Sequence, residues 1–481
     1  MTRGDHSRGG RSPEKRPLDG SSRDVSARDP LLVRLRAPIP IAPLVYLRVL
    51  FGGIMVWEVV RYFQHGWIER YYMRPELLFT YFGFEWVRPW PGDGMLVHFA
   101  LLGILALCVA VGAAYRVTAP LFFAGFTYVF LLDESRYLNH FYLVALVSLV
   151  LAALPAHRAL SVDAVLRPRI VRSTMPAWML WLLRALIGIP YFFGGIAKLS
   201  PDWLRGEPMR MWLAERTDFP VIGRYFTSEA VVIGFSWGGM LLDLLAVPLL
   251  LWHRTRWVAV VALAAFHLTN AQLFDIGIFP WLMLAATAIY FRPEGLQRVM
   301  SAIARTRSAR LASSDPRPGA RTGSFGMALA GVFLLVQVLL PLRHHLYPGD
   351  VNWTEEGHRF SWHMKLRDKE GSVTLLVSDD ARTWTVRPRR YLARHQVSKL
   401  VDGPDMILQL AHHVAEDYRR RGHRNVEVRA IASASLNGRE PQALIDPTID
   451  LAAERRSLGH ASWILPLEIP LERRARNDHD R

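Results

Sequence analysis

The sequence predicts a polytopic α-helical membrane domain of about eight or nine spans, followed by a smaller extracytoplasmic α+β domain. Three observations predict it. Hydrophobic residues make up 51 % of the 481-residue chain, and mean hydropathy is positive at +0.13. The apolar residues are clustered: the stretches 41–62, 95–113, 117–133, 141–156, 177–197, 229–252, 257–274, 276–292 and 325–342 are nearly all apolar. Most approach the roughly 20 residues that a helix needs to cross the hydrocarbon of a bilayer. After residue 343 the apolar runs stop and give way to alternating and helically spaced segments.

In chain order, residues 1–37 hold many Arg, Asp, Ser and Gly with no apolar period, the composition of a disordered tail. No cleavable signal peptide precedes the first apolar stretch, so the first span is expected to direct insertion. Residues 38–343 carry the spans, of which 141–156 is the shortest and also fits a buried or tilted helix. An Arg/Ser/Ala-rich linker occupies 293–324. In the second domain, 344–470, the run from Ser372 to Val386 sets β-rich segments around an Asp379-Asp380 turn. Met406, Leu410, Val414 and Tyr418 share helical spacing over 404–420, and 425–436 reads as another strand. Residues 471–481 are a polar tail, and no internal repeat is visible.

The single cysteine, Cys108, permits no intramolecular disulfide. The net charge of +16 is concentrated in particular loops between apolar stretches, which argues against nucleic acid as the partner. That distribution sets an orientation instead. Nine spans with the N-terminus in the cytoplasm place inside the tail, Arg116, the 157–175 loop with Arg158, Arg167, Arg169 and Arg172, then Arg254, Arg256 and the linker. The outer loops 63–93 and 199–228 balance Arg with Glu and Asp, and the second domain lies outside the cytoplasm.

With this orientation the polar residues of the spans gather on the outer side. Asn139 and His140 open span four, Lys198 closes span five, and His267, Asn270 and Gln272 lie at the outer end of span seven. Taken singly each has an ordinary reading, a snorkelling lysine or a helix-packing histidine; their common depth favours a site. Two charges sit deeper. Arg184 precedes Lys198 by 14 residues, and Asp243 lies 14 residues into span six. At about 1.5 Å per residue both are expected roughly 21 Å below the outer surface, as a structural ion pair between two helices. No metal-ligand pattern stands out.

At these residues the chain resembles the vitamin K-dependent gamma-glutamyl carboxylase family. Phe130-Leu-Leu-Asp133 followed by Asn139-His140-Phe-Tyr142 resembles the segment leading to that family's active-site histidine. Tyr191-Phe192 through Gly195-Ile-Ala-Lys198-Leu199, with Asp202-Trp203, resembles the segment bearing its catalytic lysine. Gly238-Gly-Met-Leu-Leu-Asp243 and Phe266-His267, Asn270-Ala-Gln272-Leu-Phe274 and Ile276-Gly277 are similar to two further membrane segments. Beyond the spans, Asn352-Trp353-Thr354, Ser361-Trp362, Ser435-Leu-Asn437, Asp446-Pro447, Asp450, Ser462-Trp463 and Pro466-Leu467 match in order, so the resemblance runs from about residue 38 to 470. Animal members have two adjacent lysines where this chain has Ala197-Lys198, and they continue beyond the point where it stops.

The resemblance implies a fold with an HTTM-type membrane domain, and a reaction. The family oxidises reduced vitamin K, a naphthohydroquinone, with O2 to an epoxide, and a strongly basic oxygenated species removes a γ-proton from a peptide glutamate that then takes up CO2. By that resemblance Lys198 is the base that deprotonates the quinol, a role open to a lysine where burial disfavours its ammonium form. His140 is expected to hydrogen-bond the quinol or a developing oxyanion, and Asn139, His267, Asn270 and Gln272 to bind or orient substrates. The expected partners are membrane lipid, a lipid-soluble quinol and a peptide or protein glutamate. The residues alone leave open a quinol epoxidase that does not carboxylate protein, and a membrane scaffold without activity.

Overall fold

The computed structural model describes residues 30–274, 276–303 and 324–471. The expectations for residues 1–29, for 304–323 of the linker and for 472–481 lie outside these residues.

The apolar runs form α1 (Ala42–Gln64), α2 (Gly94–Val111), α3 (Tyr115–Leu131), α4 (Asn139–Ala153), α5 (Ala177–Ala197), α6 (Glu229–Leu251), α7 (Arg256–Leu273) and α8 (Phe279–Thr287). After them come α9 (Pro293–Ile303) and α10 (Ser324–Leu342). Among the described residues five helices, α1, α2, α5, α6 and the one that begins at Ser324, are long and apolar enough to cross a membrane. The shorter ones include α4, with 15 residues, and α8, with 9.

The helices are sorted by face. On α2, Phe99, Leu102, Ala106 and Val109 are buried against neighbours, while Val97, Leu101, Ile104 and Leu107 are exposed. The exposed stripe has helical period and no polar residue, a surface that water disfavours and hydrocarbon accepts. The chain is a multi-pass membrane protein. Helices α1 to α4 pack as sequential neighbours, α5 to α8 do the same, and α8 returns against α1. α10 leans on α5.

Two boundaries differ from the sequence reading. Residues Pro30–Arg36, expected within the disordered tail, form a short helix that packs on α5. The start of the expected linker forms α9, which packs on α1. Both were hidden because their apolar content is too short or too one-sided to register as a span. α9 instead alternates apolar and polar faces in the manner of a surface helix.

A short antiparallel pair, β1 (Pro38–Pro40) with β2 (Thr174–Pro176), ties the entry of α1 to that of α5. The second domain holds a four-stranded antiparallel sheet of β3 (Lys369–Ser378), β4 (Thr383–Val386), β5 (Glu427–Leu436) and β6 (Gln442–Ala443), in the order β4-β3-β5-β6. Asp379 closes the β3–β4 turn as expected, with Oδ1 accepting from the N–H groups of Ala381 and Arg382 at 2.9 and 2.8 Å. Alternate residues of β5 (Val428, Ala430, Ala432, Ala434 and Leu436) are buried. They pack under α11 (Pro404–Arg420), whose Met406, Leu410, Val414 and Tyr418 are buried at the predicted spacing.

The loop after α1 joins the two parts. Phe79 is fully buried in the core of the second domain. The Thr80 N–H donates to Gln409 at 2.9 Å, and Arg456 bonds both the Thr80 carbonyl at 2.9 Å and Asp405 at 2.7 Å. Arg359 pairs with Glu134, between α3 and α4, at 2.8 Å. These bonds hold the second domain over one end of the bundle.

Candidate active site

Between the bundle and the second domain lies a cavity of about 800 Å³. Its membrane side is lined by residues of α4 to α8, its other side by the segment 358–369 with Lys399, Asp402 and Met406.

Lys198 is the C-cap of α5. Its side chain turns inward and is only 7 % exposed, with Nζ donating to Asp243 Oδ2 at 2.6 Å and to the Gly194 carbonyl at 3.3 Å. The ammonium also faces the Trp203 ring at 5.4 Å. The local sequence makes this contact possible. Gly194 and Gly195 sit where α5 meets α6, and a Cβ on Gly195 would lie 2.7 Å from Leu244 Cγ and 2.9 Å from its backbone nitrogen. Only glycine there lets the two helices approach closely enough to bring Asp243 to Lys198.

This corrects the expected Arg184–Asp243 pair. Arg184 instead donates from Nε to the Ile289 carbonyl at 3.0 Å and from Nη2 to Phe291 at 3.1 Å. It caps the carbonyl end that follows α8, where a cation is favoured. The depth estimate failed because each charge was counted from its own helix end. The first turns of α6 run past the end of α5 beside the 200–204 turn. There Trp203 Nε1 donates to the Ser236 carbonyl at 2.8 Å and Trp237 Nε1 to Leu204 at 3.0 Å. Asp243 is therefore level with Lys198.

His140, in the first turn of α4, lines the cavity 6.0 Å from the Phe279 ring. His267 is buried 5.9 Å from the same ring, edge-on to it. Its Nε2 is bonded to the Tyr191 hydroxyl at 2.7 Å, while its Nδ1 has no hydrogen-bond partner among the described residues. Asn270, one turn on from His267, also lines the cavity. Asn139 does too, but its amide is engaged: Nδ2 donates to the His363 carbonyl at 3.1 Å and Oδ1 accepts from Tyr137 at 2.9 Å. Gln272 is a second correction. It is exposed and absent from the cavity wall, and its backbone carbonyl accepts from Arg216 at 2.8 Å. Two residues beyond Asn270, it points roughly 200° around the helix.

The sequence reading missed Tyr191, Trp203 and Phe279 as lining residues, and the whole contribution of 358–369. That segment brings His358, His363, Lys365, Arg367 and Lys369 to the cavity. Trp362 anchors it, fully buried 5.0 Å from the Tyr142 ring. Burial pushes the His363 imidazole down to about 3 and that of His358 well below its usual range, so both are neutral at physiological pH. Burial lowers the Lys369 ammonium to about 8 against the opposing pull of Glu355. The density of His, Lys and Arg between Glu355 and Lys369 was the available signal.

The cavity fits a lipid-borne aromatic alcohol. Phe266, Phe279 and Met283 supply apolar walls, and the Lys198–Asp243 pair and the free His267 Nδ1 supply polar contacts to a hydroxyl. Fold and cavity together define a multi-pass membrane protein with an internal cavity shared between a helical domain and a smaller cap domain. Residues 36–294 match the HTTM domain model, more than half of the chain, and residues 322–469 match the lumenal domain of vitamin K-dependent gamma-carboxylase. The chain belongs to the vitamin K-dependent gamma-carboxylase family, and its function is gamma-carboxylase-like. No solved structure matches it.

Proposed function

We propose that this protein couples O2-dependent epoxidation of a reduced naphthoquinone to carboxylation of a peptide glutamate, with Lys198 as the base that opens the reaction. The observation that carries the reading is the Lys198 amine, buried in the cavity wall against Asp243 at 2.6 Å. When bound, the reduced naphthoquinone with O2 supplies the strong base that removes the glutamate γ-proton, and CO2 is the carboxyl donor. In the form of the pair whose shared proton lies on Asp243, Lys198 Nζ is a neutral amine and takes the hydroxyl proton. The ammonium that forms faces the quinolate it has made, so the transfer ends in an ion pair rather than a lone buried charge. His140 and His267 flank Phe279 and are placed to hydrogen-bond oxygens of a ring held there. On the soluble side, Lys365 and Arg367 are cations suited to a peptide carboxylate.

The same reading assigns nine spans, the Arg-rich loops to the cytoplasm and the 344–470 domain to the outside. A lipid-soluble quinol then arrives through the bundle and a peptide from the aqueous side.

The test is purified protein in lipid nanodiscs with reduced vitamin K, O2, labelled CO2 and a short Glu peptide. Epoxide and labelled peptide are expected together. Lys198→Ala should give neither at neutral pH while remaining folded, and should partly recover epoxidation at high pH or with a small added amine. His140→Ala should not be rescued by pH. Near-normal epoxidation by Lys198→Ala at neutral pH would remove the base from the scheme; epoxide without labelled peptide would limit the activity to the quinol.

A further inference from the structure

A second cavity, of about 460 Å³, lies at the opposite end of the bundle from Lys198. It is bounded by the start of α3 and by the turns between α4 and α5. Five arginines line it: Arg116, Arg158, Arg167, Arg169 and Arg172. Asp163 is the one acidic residue in the wall, and its carboxylate is already used, by the N–H groups of Ala114 and Tyr115 at 2.8 Å each. None of the five arginines is ion-paired among the described residues. Arg116 and Arg172 both act against the Arg158 charge. Like charges gathered without a counterion are unfavourable unless an anion joins them.

The cradle is rigid. Buried Arg48 donates from Nη1 to the Ala156 carbonyl at 2.8 Å and from Nη2 to that of Leu160, fixing the turn. His157 stacks on Tyr115 with ring centres 5.3 Å apart and is 6 % exposed. It lines the cavity, and its Nδ1 has no hydrogen-bond partner among the described residues. A buried polar atom left open beside unpaired guanidinium groups is one that a ligand would satisfy.

The surroundings favour a lipid. Val165 and Leu166, in the short helix between the lining residues Asp163 and Arg167, are 69 and 73 % exposed. Exposed apolar side chains next to arginines are the pairing that a headgroup–acyl chain boundary favours. We propose that this cavity binds the phosphate-bearing headgroup of an anionic phospholipid, in the leaflet opposite the candidate active site. The site is independent of the reaction proposed above.

The shared chemistry is a polyanionic phosphate, and two arms separate its sources. The full chain would be reconstituted in nanodiscs of phosphatidylcholine with and without a diphosphatidylglycerol, and lipid retention measured by native mass spectrometry. Inorganic pyrophosphate would be added as the soluble competitor. Wild type is expected to retain the anionic lipid. The Arg116→Gln/Arg167→Gln/Arg169→Gln variant, which changes exposed side chains only, is expected to bind it on the order of a hundredfold more weakly, about fivefold per arginine. Arg389→Gln/Arg390→Gln, on the second domain, should bind as wild type does. Equal retention by the triple variant, or loss in both variants alike, would overturn the proposal. Displacement by micromolar pyrophosphate would reassign the cavity to a soluble phosphate and overturn the lipid.

Discussion

Consider replacing Asp243 with leucine. The carboxylate is 6 % exposed and the lysine it meets 7 %, so the substitution leaves an ammonium with little water and a single carbonyl, that of Gly194, as acceptor. Breaking a buried pair from one side costs about 3–5 kcal/mol. Lys198→Met should lose a similar amount, because the carboxylate is then stranded. Changing both should recover much of the loss, giving a coupling energy of about 2–4 kcal/mol in a double-mutant cycle. Unfolding titrations in mixed micelles would measure it. Arg184 serves as the control: its two hydrogen bonds to carbonyls are worth roughly 1.5–3 kcal/mol each. Arg184→Ala should therefore destabilise, yet couple to Asp243→Leu by less than about 0.5 kcal/mol. Additive losses for Lys198 and Asp243, or strong coupling between Arg184 and Asp243, would refute the assignment of the pair.

Gly195→Ala should destabilise by about 1–3 kcal/mol and depress epoxidation, since its Cβ meets the Leu244 backbone nitrogen at 2.9 Å; Gly53→Ala, with nothing within 4 Å, should do neither. Lys369 makes a pH prediction. Its ammonium falls from 10.5 when free to about 8 when folded, so between those values the unfolded chain binds more protons and stability rises with pH. The rise is at most about 3 kcal/mol, and Lys369→Met should abolish it; an unchanged pH profile would contradict the burial. For topology, a reporter active only in the cytoplasm should be silent after Pro470 and active within 300–320, and the reverse pattern would invert the orientation.

Much of the candidate site was legible because helix ends are legible. Asn139 begins α4 and Lys198 caps α5, so apolar run lengths alone carried His140 and Lys198 to one end. His267 and Asn270 followed in the same way from their place at the outer end of the run that forms α7. The same reasoning misplaced Asp243, because run length says nothing about how far one helix slides along another. That offset is set by the close approach of Gly195 to Leu244 and by Trp203 against Ser236. Gln272 failed for a different reason: its depth was right and its face was wrong. The 358–369 segment was illegible as lining because it has neither strand nor helix period. It is held by single contacts, Phe360 N–H to Tyr137 Oη at 2.7 Å and Trp362 on Tyr142, that join residues more than 200 apart in sequence.

The division of the cavity wall bears on why both domains are needed. Membrane helices contribute the aromatic and aliphatic walls, one neutral ion pair and imidazoles, all compatible with low-dielectric surroundings. The cap contributes Lys365, Arg367, Lys369 and Lys399, a concentration of cations that a bilayer would not tolerate without partners. Here carboxylates of the cap partner three of them: Glu355 accepts from Arg367 at 2.5 and 2.7 Å and lies 3.6 Å from Lys369, and Asp402 accepts from Lys399 at 2.8 Å. Under the proposed reaction, an apolar reactant and an anionic one would meet complementary walls from opposite sides. Neither domain alone supplies both walls, so the bonds at Thr80, Glu134 and Asn139 that seat the cap also complete the cavity.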